Sequence, residues 1–481
     1  MAIFSDFNFY NRCGVIMVEQ VNFRTRQYNY NTINSVKAPV YVSRSETVKA
    51  ATSPSFTATK SLPQASMSQT QAINIRTQLN GKEEQVKYTT VSSQLDKNGR
   101  KILDGLLKNG VLLNSNSNDK STVLDNLFKI VQEPRAEGLK NDVILRDTIA
   151  TIAYPYLITQ QFGDIPAEYR EKAIQANNAT KTNLLDIKQG QNDIDVEHSG
   201  TCVAASTEFK LAKQMPAEFA RFAQGLSSKQ MSVDKTIQLN NLADNTLNAV
   251  WLLNAFDIPF EMNNFNDAKL KFAPDKNALL RAQIQTTDKD SYERTPLDVL
   301  MQSTFMEIGS QQSYNTLTDK RAGKFNQNDK GLIEFEKTFT ESVVFDKNIL
   351  SVTYQTVDEN ARLVGYETDL GTMKKHIVQA IDQGENVIIG YTQTDNNNVI
   401  VNGHEITIVG YKTDGKGKMT FICNDTDDNI PRPIEYSEDY LLPKIHHAAL
   451  PKEIVENDLN ITPSWVEGIE MYKHMKHQQA A

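Results

Sequence analysis

The sequence predicts an α+β fold in which a mainly helical part packs against an antiparallel sheet. Helical spacing of apolar residues dominates 200–260, whereas the alternation typical of strands dominates 345–425. Within the second range, two alternating segments are joined by Asp-Gly-Lys-Gly at 414–417, which is a hairpin signal. A helical half and a sheet half with a cleft between them is the expected architecture.

The N-terminal part of this 481-residue chain divides into two segments by composition. Residues 1–95 are rich in Ser, Thr, Gln and Asn and have no fixed apolar period, so we expect them to be mostly disordered. The candidate strands within them are 40–42 and 85–91. Residues 96–185 contain successive amphipathic segments and are predicted to form a small helical domain.

The rest of the chain is predicted to form one main domain and a tail. Residues 186–450 mix helical and strand-like segments. The stretch 260–345 within them is more polar and irregular, which favours an insertion. Residues 451–481 are predicted to be a C-terminal tail.

Composition excludes several classes of function. Lys and Arg total 51 against 59 for Asp and Glu, a formal charge of −8, which argues against nucleic acid or an anionic membrane as the main partner. No run approaches the roughly 18 apolar residues of a membrane span, and the N-terminus lacks a secretory signal. Three cysteines are too few for a disulfide framework or a four-cysteine zinc site. We therefore expect a cytoplasmic protein, or one exported without a classical signal, with no cofactor and no metal.

Cys202 is the candidate nucleophile because of its position in the sequence. Gly200 favours a turn, and Ser199 or Thr201 can cap the helix that follows. Cys202 then falls in the first turn, where unpaired N–H groups and the helix dipole stabilise a thiolate. The alternative is a buried core thiol, a common environment of free cysteine.

A second group of polar residues lies on the predicted hairpin. Gly403-His404 opens the first strand, and Asn424-Asp425 closes the second. Because the start of one antiparallel strand lies near the end of the next, His404 is predicted to neighbour one of these two residues.

Together these features resemble the papain-like cysteine peptidases. The resemblance rests on the cysteine that opens a helix, the Gly-His that opens a strand, and the Asn or Asp that closes the next strand. The order helix, glycine, strand, Gly-His and hairpin also matches, so that the resemblance covers about 186–450. It looks most like bacterial members, including the leader-peptide peptidase domains of bacteriocin exporters. The resemblance implies a two-lobed papain-like fold and a peptide or protein substrate.

The resemblance also implies a role for each candidate residue. Cys202 falls on the nucleophile, His404 on the general base, and Asn424 or Asp425 on the residue that orients the imidazole. Strand parity favours Asn424, because Asp425 shares a face with the alternate apolar residues of 419–423, which are expected to face the core.

Three features differ from the family pattern, and the first is that Asn-Ser-Trp-Gly is absent around the closing residue, where the chain reads Asn424-Asp425-Thr426-Asp427. Cys202 and His404 are 202 positions apart, against roughly 130–150 in papain-type chains, which fits the insertion at 260–345. The usual position of the oxyanion-hole glutamine holds Val196. The candidate donors further back are Gln189, Gln191 and Asn192.

Four other histidines have ordinary explanations in the sequence. His446 and His447 follow an apolar run and are predicted to belong to an ordinary strand. His474 and His477 have helical spacing but lie in a Lys-rich tail, which favours solvated surface.

Two classes of function remain after these exclusions. A cysteine peptidase that hydrolyses peptide bonds is favoured. The alternative is a papain-fold protein that does not hydrolyse, either a transglutaminase-like acyltransferase, which Asp425 would suit, or an inactive binding protein, which the missing glutamine would explain. Rapid alkylation of Cys202 separates an active thiol from an inert one, and ammonia release to an amine acceptor without cleavage identifies transfer.

Overall fold

The structure is a computed structural model with a mixed α+β fold, in agreement with the predicted class. It describes residues 75–162, 165–179, 200–287, 293–323, 331–358, 360–427 and 431–456, together with 466, 468–470 and 473. The candidate strand at 40–42 lies outside these residues.

The described part of the chain begins with five helices. They are α1, Gly81–Ser93; α2, Lys97–Lys108; α3, Val123–Gln132; α4, Asn141–Ala153; and α5, Ala167–Asn178. Polar side chains explain where two of them begin. Asp96 accepts from the N–H of Gly99 ahead of α2, and Thr122 with Asp125 forms a capping box ahead of α3.

Helix α1 shows that the strand prediction for 85–91 is wrong. Glu84 lies in the first turn of α1, where an acidic residue stabilises the helix by interacting with its dipole. It also forms an ion pair with Arg76 at 2.8 Å. Val91 is fully buried, whereas Val86 is 58% exposed. The apolar residues of this segment therefore lie at different angles around a helix, and only one side of it packs.

Further helices and a small sheet follow residue 200. The helices are α6, Cys202–Gln214; α7, Pro216–Leu226; α8, Thr246–Ala255; α9, Ala278–Thr287; α10, Pro296–Gly309; and α11, Glu334–Phe345. The strands are β1, Val233–Gln238; β2, Phe260–Met262; and β3, Asp267–Phe272. They form an antiparallel sheet in the order β1-β3-β2.

One apolar core, here called the first core, joins the N-terminal helices to this second group. Leu124 of α3, Phe209 of α6 and Phe222 of α7 are at most 1% exposed and belong to the same cluster. Helix α3 packs directly against α7. The boundary predicted near residue 185 therefore does not separate two cores.

Much of the described part of 260–345 packs in the first core, and the prediction that this segment is an insertion stays a prediction. Every residue of α10 is buried. The polar composition is misleading because charged groups pair in the interior: Arg321 and Glu336 form a bidentate ion pair with both side chains fully buried.

The main sheet has six strands, and its neighbouring strands are antiparallel. Its strands are β4, Ile349–Thr353; β7, Val387–Thr394; β8, Ile400–Thr413; β9, Met419–Asn424; β10, Ile434–Ser437; and β11, Ile445–Pro451. Their order is β10-β9-β8-β7-β11-β4, and the hairpin predicted at 414–417 joins β8 to β9. The short strands β5, Gln355–Val357, and β6, Leu363–Tyr366, pair separately.

Each face of the main sheet meets a different layer. Helix α12, Leu370–Asp382, covers one face, where Ile406 and Ile408 of β8 belong to a second core. Glu405 and Val409 alternate with them and face α11 and the first core. The last helices are α13, Glu438–Leu441, and α14, Lys452–Val455. Among the described residues, no helix has both the length and the apolar character needed to cross a membrane.

Candidate functional site

Cys202 is the first residue of α6, where the sequence predicts it. Thr201 occupies the N-cap position, and its carbonyl accepts from the N–H of Ala205 at 2.8 Å. The N–H of Gly200 donates to Oδ2 of Asp319 at 2.5 Å, which fixes the turn that leads into the helix. Cys202 is half-buried and packs at the edge of the first core, so the residue is not enclosed in that core.

His404 lies on β8, directly opposite Tyr391 of β7. The two rings meet edge to face with centroids 5.9 Å apart. Nε2 of His404 lies 2.7 Å from Oδ1 of Asp425, and the two side chains are 13% and 11% exposed. The N–H of Asp427 donates to the same Oδ1 at 3.0 Å, so the carboxylate is held from two sides.

Asp425, and not the favoured Asn424, contacts His404. In the β8–β9 register Asn424 pairs with Thr407, which alternates with His404 and faces the other side of the sheet. The amide nitrogen of Asn424 is buried there and finds no hydrogen-bond partner among the residues that the structure describes. Asp425 shares a face with Cys423, a residue of the second core. The parity argument fails because the apolar face of β9 is also the side on which His404 lies.

The surroundings of His404 favour its protonated form. Burial by itself lowers the pKa of His404, but hydrogen bonds with Asp425 and Cys202 and the charges of the same groups raise it well above its ordinary value. Burial raises the pKa of Asp425, but the hydrogen bond and charge of His404 lower it overall. Since Nε2 faces Asp425, Nδ1 is the ring nitrogen left for Cys202.

The loop after Asp425 is held by residues from the N-terminal helical part. The side-chain amides of Gln160 and Gln161 donate to Oδ1 of Asp427 at 3.1 and 2.8 Å. The N–H of Gln160 donates to the carbonyl of Thr426 at 3.0 Å. No motif in the sequence links these segments, and Gln161 and Asp427 are 266 positions apart. The segment between α4 and α5 therefore helps to hold the loop beside the site.

The predicted oxyanion donors cannot be compared with this geometry. Gln189, Gln191 and Asn192 lie outside the described residues. The backbone N–H of Cys202 stands at the first helical position, where no acceptor exists within the helix. It is the donor that the described site itself offers to a developing oxyanion.

A sizeable cavity lies away from Cys202. It has a volume of about 760 Å³ and is lined mainly by polar and charged residues, including Arg221, Asp234 and Lys269. Neither Cys202 nor His404 lines it. The set formed by Cys202, His404 and Asp425 is therefore not in this cavity.

A second buried polar cluster was not predicted from the sequence. It lies on the face of the main sheet opposite His404 and consists of Glu334, Lys337, Glu405, His446 and His447. The two histidines belong to β11, as predicted, and are 6% and 4% exposed. One signal was present in the sequence. Adjacent residues of a regular strand point to opposite faces, so at least one of two adjacent histidines in an apolar strand is expected to be buried.

Comparison of the chain with known proteins gives no relative. No protein-family model matches it, and no curated protein or solved structure matches it significantly. The function therefore has to be argued from the residues and their geometry.

Proposed function

We propose that the protein is a cysteine peptidase in which Cys202, His404 and Asp425 hydrolyse peptide bonds. The observation that carries the proposal is the position of His404, whose Nε2 lies 2.7 Å from Oδ1 of Asp425 and whose pKa is raised by Asp425 and also by Cys202. A half-buried cysteine at a helix N-terminus, an imidazole and a carboxylate are the groups that thiol catalysis requires. A papain-like, two-lobed division, with α6 on one lobe and β8 on the other, is part of the proposal.

Each group has a defined role in the proposed reaction. Sγ of Cys202 attacks the carbonyl carbon and forms a C–S bond, while the carbonyl electrons move to oxygen. When the tetrahedral adduct collapses, the C–N bond breaks and His404 gives its proton to the leaving amine. His404 then takes a proton from water, which attacks the thioester; the acid and the thiolate of Cys202 are released, and the pair of thiolate and protonated His404 with which the reaction begins is restored. Asp425 holds the ring and balances the charge of the imidazolium.

Alkylation and cleavage together test this proposal. Iodoacetamide should modify Cys202 much faster than Cys423, which is fully buried. A library of unstructured peptides should be cleaved by the intact protein and not by Cys202→Ala. Cys423→Ala is the matched control and should retain cleavage, since it lies in the second core. Slow alkylation of Cys202 together with an uncut library would instead favour an inactive binding protein.

A second candidate is acyl transfer to an amine, as in transglutaminase-like enzymes. The contact between Asp425 and His404 favours it, because a Cys-His-Asp set also serves that reaction. The thioester forms in the same way, but the ammonia of a glutamine amide leaves and an amine replaces water as the second nucleophile. Ammonia release that depends on an added primary amine, without peptide cleavage, would identify this reaction.

A further inference from the structure

We propose that Glu334, His446 and His447 bind a divalent transition-metal ion, and that Zn²⁺ matches them best. Among the described residues, these three form a group whose ligand atoms all lie within 4.8 Å of one another. Two imidazoles and one carboxylate are a ligand set that zinc commonly uses. The proposal does not depend on catalysis by Cys202.

A β-bulge brings the two adjacent histidines to the same face of the main sheet. Regular alternation would send His446 and His447 to opposite faces. In the pairing of β11 with β7, however, the register shifts between Ile445 and His447. Ile445 and Ala448 both belong to the second core, so the two residues between them face the other way, toward Glu334 on α11. Bulges re-aim side chains in this manner next to active sites.

The three ligand atoms have the spacing that one ion requires. Nδ1 of His446 lies 3.0 Å from Oε1 of Glu334 and 3.0 Å from Nδ1 of His447. Nδ1 of His447 lies 3.4 Å from the same oxygen. Ligand atoms about 2.0–2.1 Å from a tetrahedral ion are roughly 3.3–3.4 Å apart. One ion can therefore contact all three atoms after small side-chain adjustments, and its fourth position remains for water.

Hydrogen bonds behind the ligands fix their orientation. The hydroxyls of Ser351 and Thr353 donate to Oε2 of Glu334 at 3.0 and 2.9 Å, which leaves Oε1 directed at the histidines. Nε2 of His447 lies 3.2 Å from Oε1 of Glu405. A carboxylate at the far nitrogen is the usual support of a metal-binding imidazole, because it sets the tautomer and the ring orientation.

Gly390 leaves the space in which His447 and Glu405 meet. It pairs with His447 on one side and with Glu405 on the other. A Cβ at this position would lie 2.0 Å from Cε1 of His447 and 2.7 Å from Oε1 of Glu405. The close approach of these two groups therefore requires glycine here.

The competing explanation is a cluster held by protons alone. Lys337 contacts both Glu405 and Nε2 of His447, so it can donate to that nitrogen and leave a proton on Nδ1 for Glu334. Nδ1 of His446 points at the same oxygen, however, and lies only 3.0 Å from Nδ1 of His447. Two N–H groups that point at one oxygen at this spacing bring their hydrogen atoms close enough to repel each other. A single ion instead accepts a lone pair from each of the three ligand atoms.

Metal affinity tests the proposal. The full chain, stripped with a chelator, is titrated with Zn²⁺ in competition with a chromophoric chelator, and the expected result is one ion per chain. Glu334→Gln and His446→Gln should each lower the affinity by about 100-fold or more, since even loss of a supporting carboxylate costs about 10–100-fold. Circular dichroism of each variant reports whether it has folded.

Two controls separate this site from other ligands. His376→Gln removes another buried histidine, which contacts Tyr354 at 3.0 Å, and should leave the affinity unchanged. Cys202→Ala should also retain the ion. If the ligand variants do not fold, the Co²⁺ spectrum of the unmodified chain decides, because a His and Glu site shows tetrahedral d–d bands without sulfur-to-metal charge transfer. The proposal is overturned if neither Zn²⁺ nor Co²⁺ binds stoichiometrically, or if Zn²⁺ binding survives in both folded ligand variants.

Discussion

Oδ1 of Asp425 lies 2.7 Å from Nε2 of His404, and the two residues are 21 positions apart. Asp425 stands one residue beyond the end of β9, so strand pairing alone does not hold it. The loop that carries it is fastened by Gln160 and Gln161, which come from the N-terminal part of the chain. The orientation of His404 thus depends on three separate segments of the sequence.

Removing the charge of Asp425 should change how activity depends on pH. Because Asp425 and Cys202 raise the pKa of His404, its imidazolium persists above the ordinary value of about 6.5. We expect kcat/KM for peptide cleavage to fall only as the pH rises through this raised pKa. In Asp425→Asn, which removes the charge, the falling limb should move to lower pH.

Asn424→Ala is the matched control for Asp425→Asn. Asn424 is adjacent to Asp425 but faces the other side of the sheet. The falling limb of the pH profile of Asn424→Ala should therefore coincide with that of the intact protein. The protonated His404 also stabilises the fold below its raised pKa, and this contribution is lost as the pH rises through that pKa. A falling limb that shifts in Asn424→Ala and not in Asp425→Asn would contradict the assignment of Asp425 as the partner of His404.

Replacing Cys202 and His404 should show that they act as a unit. Cys202→Ala and His404→Ala should each lower kcat by a factor on the order of 10⁴–10⁶. The kcat of the double variant should be no lower than that of the slower single variant. Cys202→Ala should change the free energy of unfolding by less than about 1 kcal/mol, since the side chain is only half-buried. Further slowing in the double variant would mean that the two residues work independently.

Weakening an N-terminal helix should destabilise the central helices as well. Leu124→Ala in α3 should cost about 2–5 kcal/mol, because Leu124 is 1% exposed in the first core. Hydrogen exchange should then rise in α7, against which α3 packs, as well as in α3 itself. Leu247→Ala, at a position that is 65% exposed, is the control and should change neither the stability nor the hydrogen exchange of these helices. Faster exchange confined to 97–153 would mean that the N-terminal helices fold separately.

Adding one methyl group at Gly390 should lower stability. In Gly390→Ala the new Cβ lies 2.0 Å from Cε1 of His447, so the ring or the strand must move. We expect the free energy of unfolding, measured with denaturant, to fall by about 1–3 kcal/mol. Gly365→Ala, at a strand position with no atom within 4 Å of the new Cβ, is the control and should be nearly neutral. Equal values for the two variants would show that the close contact at Gly390 is absent.

Local patterns predict the elements of this fold better than their assembly. The α+β class, the helix that begins at Cys202 and the β8–β9 hairpin follow from periodicity, capping and turn residues within short windows. The helix at Gly81–Ser93 was missed because its residues alternate over a few positions much as a strand does. Its identity depends on which side packs, and that is a tertiary property.

The errors at the site have the same physical origin. Parity alone places Asn424 and Asp425 on opposite faces, but only the pairing register shows which face His404 occupies. The histidines at 446 and 447 converge because of a bulge that depends on the partner strand, so that their adjacency in the sequence does not show which face they share. The polar composition of 260–345 did not reveal its burial, because buried ion pairs such as Arg321 with Glu336 make an interior segment polar.

Strand β8 turns His404 toward one face of the main sheet and Glu405 toward the other. Because side chains alternate with a period of two, a one-residue insertion or deletion between the hairpin and position 404 would reverse both at once. The two polar clusters would then disappear in a single genetic event. A substitution at one residue removes either cluster alone, whereas such a shift of register removes both together.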